Sequence, residues 1–336
     1  MIKKVLIIAE AGVNHNGSID LALELVEAAA DSGADVVKFQ SFSADSIVTN
    51  EATLAGYQER NSYKLKTQHA LLKQLELSIE DHRLILEHCN RNSIRFMSTG
   101  FDFPSLDLLK SLGQETFKVP SGEITNLPLL RRIGSLASEV IISTGLSTIE
   151  EIGSAILTLE KCGLAREKII VLHCTTQYPA PLADLNLLAI RSLQEEFKVR
   201  VGYSDHSLGA TAAVAAVALG SSVIEKHLTL DKKSNGPDHA SSLNPKEFTE
   251  MVIQIRELEV ALGDGVKRPM PSEEQNRVSV RKSIVASRRI EIGDVFSNEN
   301  LTTKRPGSGL SPMRWDDFIG RSSERSYDVD EMINEQ

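Results

Sequence analysis

EVIISTGLSTIEEIGSAILTLEKCGLAREKIIVLHCTT, residues 139–176, carries the fold in miniature. Glu139–Ser143 and Lys168–His173 are short apolar runs of strand length, and Thr148 with Glu151 forms a capping box ahead of the helical stretch between them. Working outward, further strand-length runs fall at Val5–Ala9, Asp35–Phe39, Arg95–Ser98, Thr116–Val119, Val199–Tyr203 and Ser222–His227, which makes eight in all. Helical patterns separate them. Ile19 to Asp31 is apolar over one broad face, and Glu80 to Asn90 repeats apolar residues at helical spacing. Asn244, Pro245 and Glu247 supply an N-cap, a first-turn proline and an N3 carboxylate for a helix striped by Phe248, Met251, Val252, Ile255, Leu258 and Leu262. Eight strand–helix units within about 262 residues is the arithmetic of an α/β protein of the (β/α)8 TIM-barrel type. An open doubly wound sheet fits the same alternation, but eight units at this length favour closure.

The pattern lapses at residues 263–278, where Gly-Asp-Gly, a basic patch, Pro269 and Pro271 read as a linker. Residues 279–336 change character: the β-like runs Ser283–Ala286 and Asn300–Lys304 are separated by the turn signals Ile292-Gly293-Asp294 and Pro306-Gly307-Ser308-Gly309. About 55 residues is marginal for an independent core, so this small, mostly β module is expected to lean on the barrel or on a partner subunit. The whole chain of 336 residues agrees with roughly two domains, here unequal ones.

A formal charge of −9 and a pI near 5.5 argue for no nucleic acid and no membrane as partners, since both require a basic face. The apolar run Val5–Ala9 is broken by Glu10, too short for a signal sequence, and no segment has the length of a membrane helix. Three cysteines, Cys89, Cys162 and Cys174, are an odd number without metal-ligand spacing, which suits a reducing, cytoplasmic setting.

In such a barrel the chemistry sits at the C-terminal ends of the strands. Those ends are polar here. They offer Glu10, Lys38, Gln40, Thr99, Lys118, Ser121, Glu123, Ser143, His173, Ser204, His206, Glu225 and His227. Two lysines with hydroxyls beside glycines, converging on one mouth, supply the charge, neutral donors and close backbone that a phosphate needs. His206 and His227 come from neighbouring strands and are candidate ligands for one Mn, Fe, Co or Zn ion. His15, His173 and His239 are further candidates, whereas His69, His82 and His88 lie on helical patterns and read as surface. Cys174 points away from His173 by strand alternation and reads as a small buried hydrophobe.

The strings IIAEAGVNHNGS (7–18), VVKFQSF (36–42), STGFD (98–102), FKVPSGEITNLPLL (117–130), ISTG (142–145), LHCTTQYPAP (172–181), GYSDHS (202–207), VIEKHLTLD (223–231) and GPDHASSLNP (236–245) resemble, in order, the N-acetylneuraminate (sialic acid) synthase family. The tail RKSIVASRRIEIGDVFSNENLTTKRPGSG is similar to the antifreeze-like (SAF) domain that closes these enzymes. The resemblance implies condensation of phosphoenolpyruvate with an open-chain N-acylated hexosamine and water, giving a nine-carbon α-keto acid and phosphate. The sugar is N-acetylmannosamine or 2,4-diacetamido-2,4,6-trideoxymannose, the precursor of N,N'-diacetyllegionaminate. A divalent metal, usually Mn2+, is implied at His206 and His227. Carried over by position, Lys38, Thr99, Lys118, Ser121, Ser143 and Ser204 match phosphoenolpyruvate contacts, and Glu10 and Glu123 match acidic residues near the reacting carbons. Gln40, Tyr178 and Asp238 match sugar-side positions. Arg305 matches the tail arginine that reaches the partner's barrel, which implies a domain-swapped homodimer.

Two positions depart from the family pattern. Gly100 stands where many relatives have proline, so a more flexible loop is expected there, and Thr176 replaces an asparagine used near the phosphate. The segment from Val48 to Thr67 is the candidate to supply either the apolar wall or the room that a 6-deoxy, 4-acetamido sugar needs. Two other readings stay open on residues alone: a Schiff-base aldolase using Lys38 or Lys118, and a non-catalytic sugar-binding protein.

Overall fold

Strands β1 (Leu6–Gly12), β2 (Val36–Ser41), β3 (Arg95–Gly100), β4 (Thr116–Val119), β5 (Glu139–Ser143), β6 (Ile169–Cys174), β7 (Arg200–Asp205) and β8 (Val223–His227) form a parallel sheet in the order β3-β2-β1-β8-β7-β6-β5-β4. The two ends of that order, β3 and β4, lie side by side and close the barrel. In this computed structural model residues 4–54, 56 and 67–335 are described. The chain divides into two units, Met1–Asp264 and Gly265–Gln336. All eight expected strands are present. Several run further than their apolar core: β1 continues through Glu10, β2 through Gln40 and Ser41, and β3 through Thr99 and Gly100. Polar residues that read as loop are therefore held on strands.

Alternation along the strands divides their side chains. One set, Ile8, Val36, Met97, Ile141, Ile170, Leu172 and Val223, packs as an apolar plug within the barrel. The other set joins the helices in the main core, with Ile7, Val37, Phe39, Val140, Val171 and Tyr203 against Leu25, Ile85, Leu130, Ile156, Leu193 and Met251. Two residues beyond the plug, on its face, come Glu10, Lys38, Thr99, Ser143, Cys174 and Glu225. The site is thus the next layer of the barrel interior.

The helices begin where their caps require. Thr148 and Glu151 close the expected capping box for Ile149–Lys161, Asn244 and Glu247 do the same for Pro245–Ala261, and Ser78 with Asp81 starts Ile79–Arg91. That last helix corrects one expectation: His82 is buried, not at the surface, its ring nitrogens at 2.6 Å from Ser41 Oγ and 2.7 Å from the Ser78 carbonyl. The stretch 263–278, expected as a linker, carries most of a helix, Pro271–Val280, whose first turn is braced by Glu273 accepting from the Met270 amide. Much of the segment 48–67 lies outside the described residues.

In the second unit β9 (Ser283–Ala286) and β10 (Leu301–Lys304) pair antiparallel. Ile284, Ala286, Ile290, Phe296, Leu301, Phe318, Tyr327 and Ile333 form an apolar core of its own. No membrane-length apolar helix occurs among the described residues.

Candidate active site

At the C-terminal mouth of the barrel lies a cavity of about 290 Å³, lined by Glu10, Lys38, Gln40, Thr99, Lys118, Ser121, Ser143, Tyr178, Ser204, His206, His227 and Asp238. Register brings them together. Glu10 lies opposite Lys38 on one side and His227 on the other, and Ser204 lies opposite Glu225.

Two ammonium groups and two carboxylates meet in the centre. Lys38 Nζ is 2.5 Å from Glu10 Oε2, 3.6 Å from Glu225 Oε2, and donates to Thr99 Oγ1 at 3.2 Å. Lys118 Nζ donates to both Glu225 oxygens at 2.9 and 3.1 Å, and Ser204 Oγ donates to Glu225 at 2.8 Å. Burial alone would lower the Lys38 ammonium, but Glu10 and Glu225 outweigh it and raise it. The two carboxyls are driven apart. Burial raises Glu10 despite Lys38, whereas Lys118 and Lys38 overcome burial and hold Glu225 low. A Schiff-base nucleophile must be a neutral amine; two ion-paired ammonium groups are the opposite arrangement.

Around this cluster stand hydroxyls with free capacity. Ser143 Oγ and Thr176 Oγ1 are buried without a partner among the described residues, and Ser121 Oγ bonds the Gly145 amide at 3.0 Å. A Cβ on Gly145 would fall 2.0 Å from Thr176 Oγ1, so only glycine fits under that threonine.

His206 Nδ1 donates to the Thr175 carbonyl at 2.7 Å, which fixes the tautomer and leaves the Nε2 lone pair facing Tyr178 Oη at 3.2 Å. The His206 and His227 rings are 5.6 Å apart. Burial drives both below their usual range, His206 to about 4. Two neutral imidazoles side by side, with the His206 tautomer fixed by the Thr175 carbonyl, are the form that binds a divalent cation, so the residues fit one. No group of three or more His, Cys, Asp or Glu side chains placed to hold a metal ion occurs among the described residues. Asp238 completes this side, its Oδ2 3.8 Å from His227 Nδ1, with burial pushing its carboxyl up to about 7. Gln40 Nε2 donates to Glu10 Oε1 at 3.1 Å.

Other expected residues lie elsewhere. Glu123 is half-buried on the turn Ser121–Glu123, accepts from Asn126 Nδ2 at 2.6 Å, and does not line the cavity. Arg305 belongs to the second unit, where it is exposed and its Nε donates to the Val280 carbonyl at 3.1 Å. His173 turns out of the barrel to the Leu185 carbonyl at 2.6 Å, and His239 bonds Thr229 at 2.7 Å. His15 is wholly buried, its Nδ1 accepting from the Gly17 amide at 3.0 Å. Cys174 is buried, with its sulfur 3.2 Å from Ser121 Oγ. Gly100 is not a flexible loop residue: it ends β3, and a Cβ there would lie 2.8 Å from Leu106 Cδ2.

Glu225 is the residue that sequence reasoning left without a role. Its signal was its position two before His227, which puts both on one face of a strand. An apolar wall of Val13, Leu71, Leu72, Leu75 and Phe101 was also missed.

Fold and site together define a TIM-barrel enzyme with paired lysines and carboxylates buried at its mouth. The chain belongs to the NeuB family, whose model matches residues 25–267, and a SAF domain matches residues 281–327. It is 49% identical to the N,N'-diacetyllegionaminic acid synthase of Campylobacter jejuni, over 99% of this chain and 100% of the relative. It is 47% identical to the enzyme of the same name from Legionella pneumophila, over 94% and 89%. Among solved structures it is similar to the N-acetylneuraminic acid synthetase of Leptospira borgpetersenii in complex with citrate, with TM-score 0.70, 34% identity and coverage of 82% and 90%.

Proposed function

We propose that this chain is a nonulosonic acid synthase. It condenses phosphoenolpyruvate with an N-acylated hexosamine and water, releasing a nine-carbon α-keto acid and inorganic phosphate. One observation carries the reading: Lys38 and Lys118, each ion-paired to a buried glutamate, stand beside unpaired hydroxyls and two neutral imidazoles in one cavity. The preferred acceptor is 2,4-diacetamido-2,4,6-trideoxymannose, giving N,N'-diacetyllegionaminate, because two relatives near half identity bear that product's name. N-acetylmannosamine, giving N-acetylneuraminate, is the competitor.

Phosphoenolpyruvate C3 attacks the sugar aldehyde, water adds at C2, and phosphate leaves by C–O cleavage. Lys38, Lys118, Thr99, Ser121, Ser143 and Ser204 hold the phosphate and carboxylate. Glu10, whose burial favours its protonated form, is the group suited to move a proton at the reacting carbons, while Glu225 stays ionised and keeps both ammonium groups in place. Gln40, Tyr178 and Asp238 are assigned to the sugar, and Glu123 to an outer position beside Asn126. His206 and His227 would hold the divalent metal, assigned as Mn2+, which when bound supplies Lewis-acid polarisation of the aldehyde oxygen.

We place the enzyme in the cytoplasm, supported by three free cysteines, and as a domain-swapped homodimer in which Arg305 serves the partner's barrel. The exposed helix Pro271–Val280, with Val278 and Val280 each 53% accessible, supports the dimer. Phosphate release from phosphoenolpyruvate with manganese, run with each sugar separately, tests the reading. Release with neither would overturn it, and a higher kcat/KM with N-acetylmannosamine would reassign the sugar.

A further inference from the structure

On the outer face of the sheet, behind the cavity, one ammonium group is sealed from water. Lys226 is fully buried, and its Nζ donates to Asp205 Oδ2 at 2.8 Å and to the Ser207 carbonyl at 2.5 Å. Asp205 and Lys226 are direct partners across β7 and β8. Asp205 Oδ1 in turn accepts from the Ser207 amide at 2.9 Å and its hydroxyl at 2.7 Å. The ammonium therefore grips both chain neighbours of His206, while its own next residue is His227.

A buried ion pair adds little net stability, because desolvation offsets the attraction; a methionine would fill the same space without that cost. What the pair adds is direction. It fixes one separation and one register between the two strands, and a slip of one residue would turn Glu225 and His227 out of the cavity. Alternation sends Asp205 and Lys226 to one face and Ser204, Glu225 and His227 to the other, so the pair touches nothing in the cavity.

We infer that the Lys226–Asp205 pair positions His206 and His227 for the divalent cation, so that ion affinity depends on a salt bridge that never meets ion or substrate. The inference rests on the reading of these two histidines as cation ligands. Outer groups that orient ligands commonly account for about 10–100-fold in metal affinity.

The test is manganese binding to the full chain without substrate, by titration calorimetry, beside near-UV circular dichroism and thermal unfolding. The double variant Asp205→Asn/Lys226→Met removes both charges together and strands neither. It is expected to keep a native spectrum and to bind manganese about tenfold or more weakly. Asp205→Asn alone preserves volume and the bonds from Ser207, and is expected to weaken binding severalfold. Unchanged affinity in either folded variant overturns the inference, since a merely structural pair would move the unfolding temperature and leave Kd alone. If the unaltered chain takes up no manganese, or His206→Ala binds it equally well, the cation reading itself fails and the inference with it.

Discussion

Gln114 and Ser98 join side chain to backbone at the seam where β3 meets β4. Gln114 Oε1 accepts from the Ser98 amide at 2.8 Å and its Nε2 donates to the Ser98 carbonyl at 2.9 Å. The amide group imitates a neighbouring strand at the point where the sheet's own ladder ends. Ser98 has no exposure, so its backbone groups have no water to fall back on.

Gln114→Leu is therefore expected to destabilise the barrel by about 2 kcal/mol or more, through two buried groups left unpaired. Urea unfolding checks it. Because Thr99 is the next residue, phosphoenolpyruvate affinity should fall as well; a variant as stable as its parent would contradict the account of the seam.

Glu225→Gln removes the anion that Lys118, Lys38 and Ser204 share. We expect kcat/KM for phosphoenolpyruvate to drop by about 100-fold, near 2.7 kcal/mol, as charge-assisted bonds are lost and Lys118 is left without its carboxylate while Lys38 keeps only Glu10. Steady-state phosphate release measures it.

Removal of divalent ions by exhaustive chelation should abolish turnover, with manganese restoring it. His206→Ala should not recover at any tolerated concentration, because one imidazole remains where the fit requires two. Full activity after chelation would remove the ion from the reaction.

Gly100→Ala places a methyl 2.8 Å from Leu106 Cδ2, on a fully buried leucine. Overpacking of this kind costs about 1–3 kcal/mol. A thermal melt decides between this and the flexible-loop expectation, under which alanine would be neutral or stabilising.

Asp35 ties the start of β2 to the helix Pro245–Ala261 and to β1, accepting from Arg256 at 2.7 Å and from the Ile7 amide at 2.9 Å. Burial would raise its carboxyl, but Lys4, the Ile7 amide and Arg256 outweigh it and hold it below 3.8. A depressed carboxyl stabilises fully above its unfolded value and loses that effect as pH falls through the folded one. Asp35→Asn should thus cost about 1–2 kcal/mol at neutral pH, with the difference from the parent narrowing below about pH 4. Chemical denaturation at several pH values checks the sign.

The periods of 2 and 3.6 residues and the capping boxes at Thr148 and Asn244 are local, so eight strand–helix units, the barrel and most residues of its mouth were legible in the chain. Lys38, Lys118, His206 and His227 could be named because strand ends in a barrel converge whatever their distance in sequence. What no local pattern held was pairing. Lys118 meets Glu225 across 107 positions, Gln114 closes a seam, Lys226 turns to Asp205, and Leu106 packs where Gly100 leaves room. Hydrophobic periodicity states which face a side chain takes; only closure of the sheet sets which opposite charge, amide or methyl waits there, and burial then makes each meeting count.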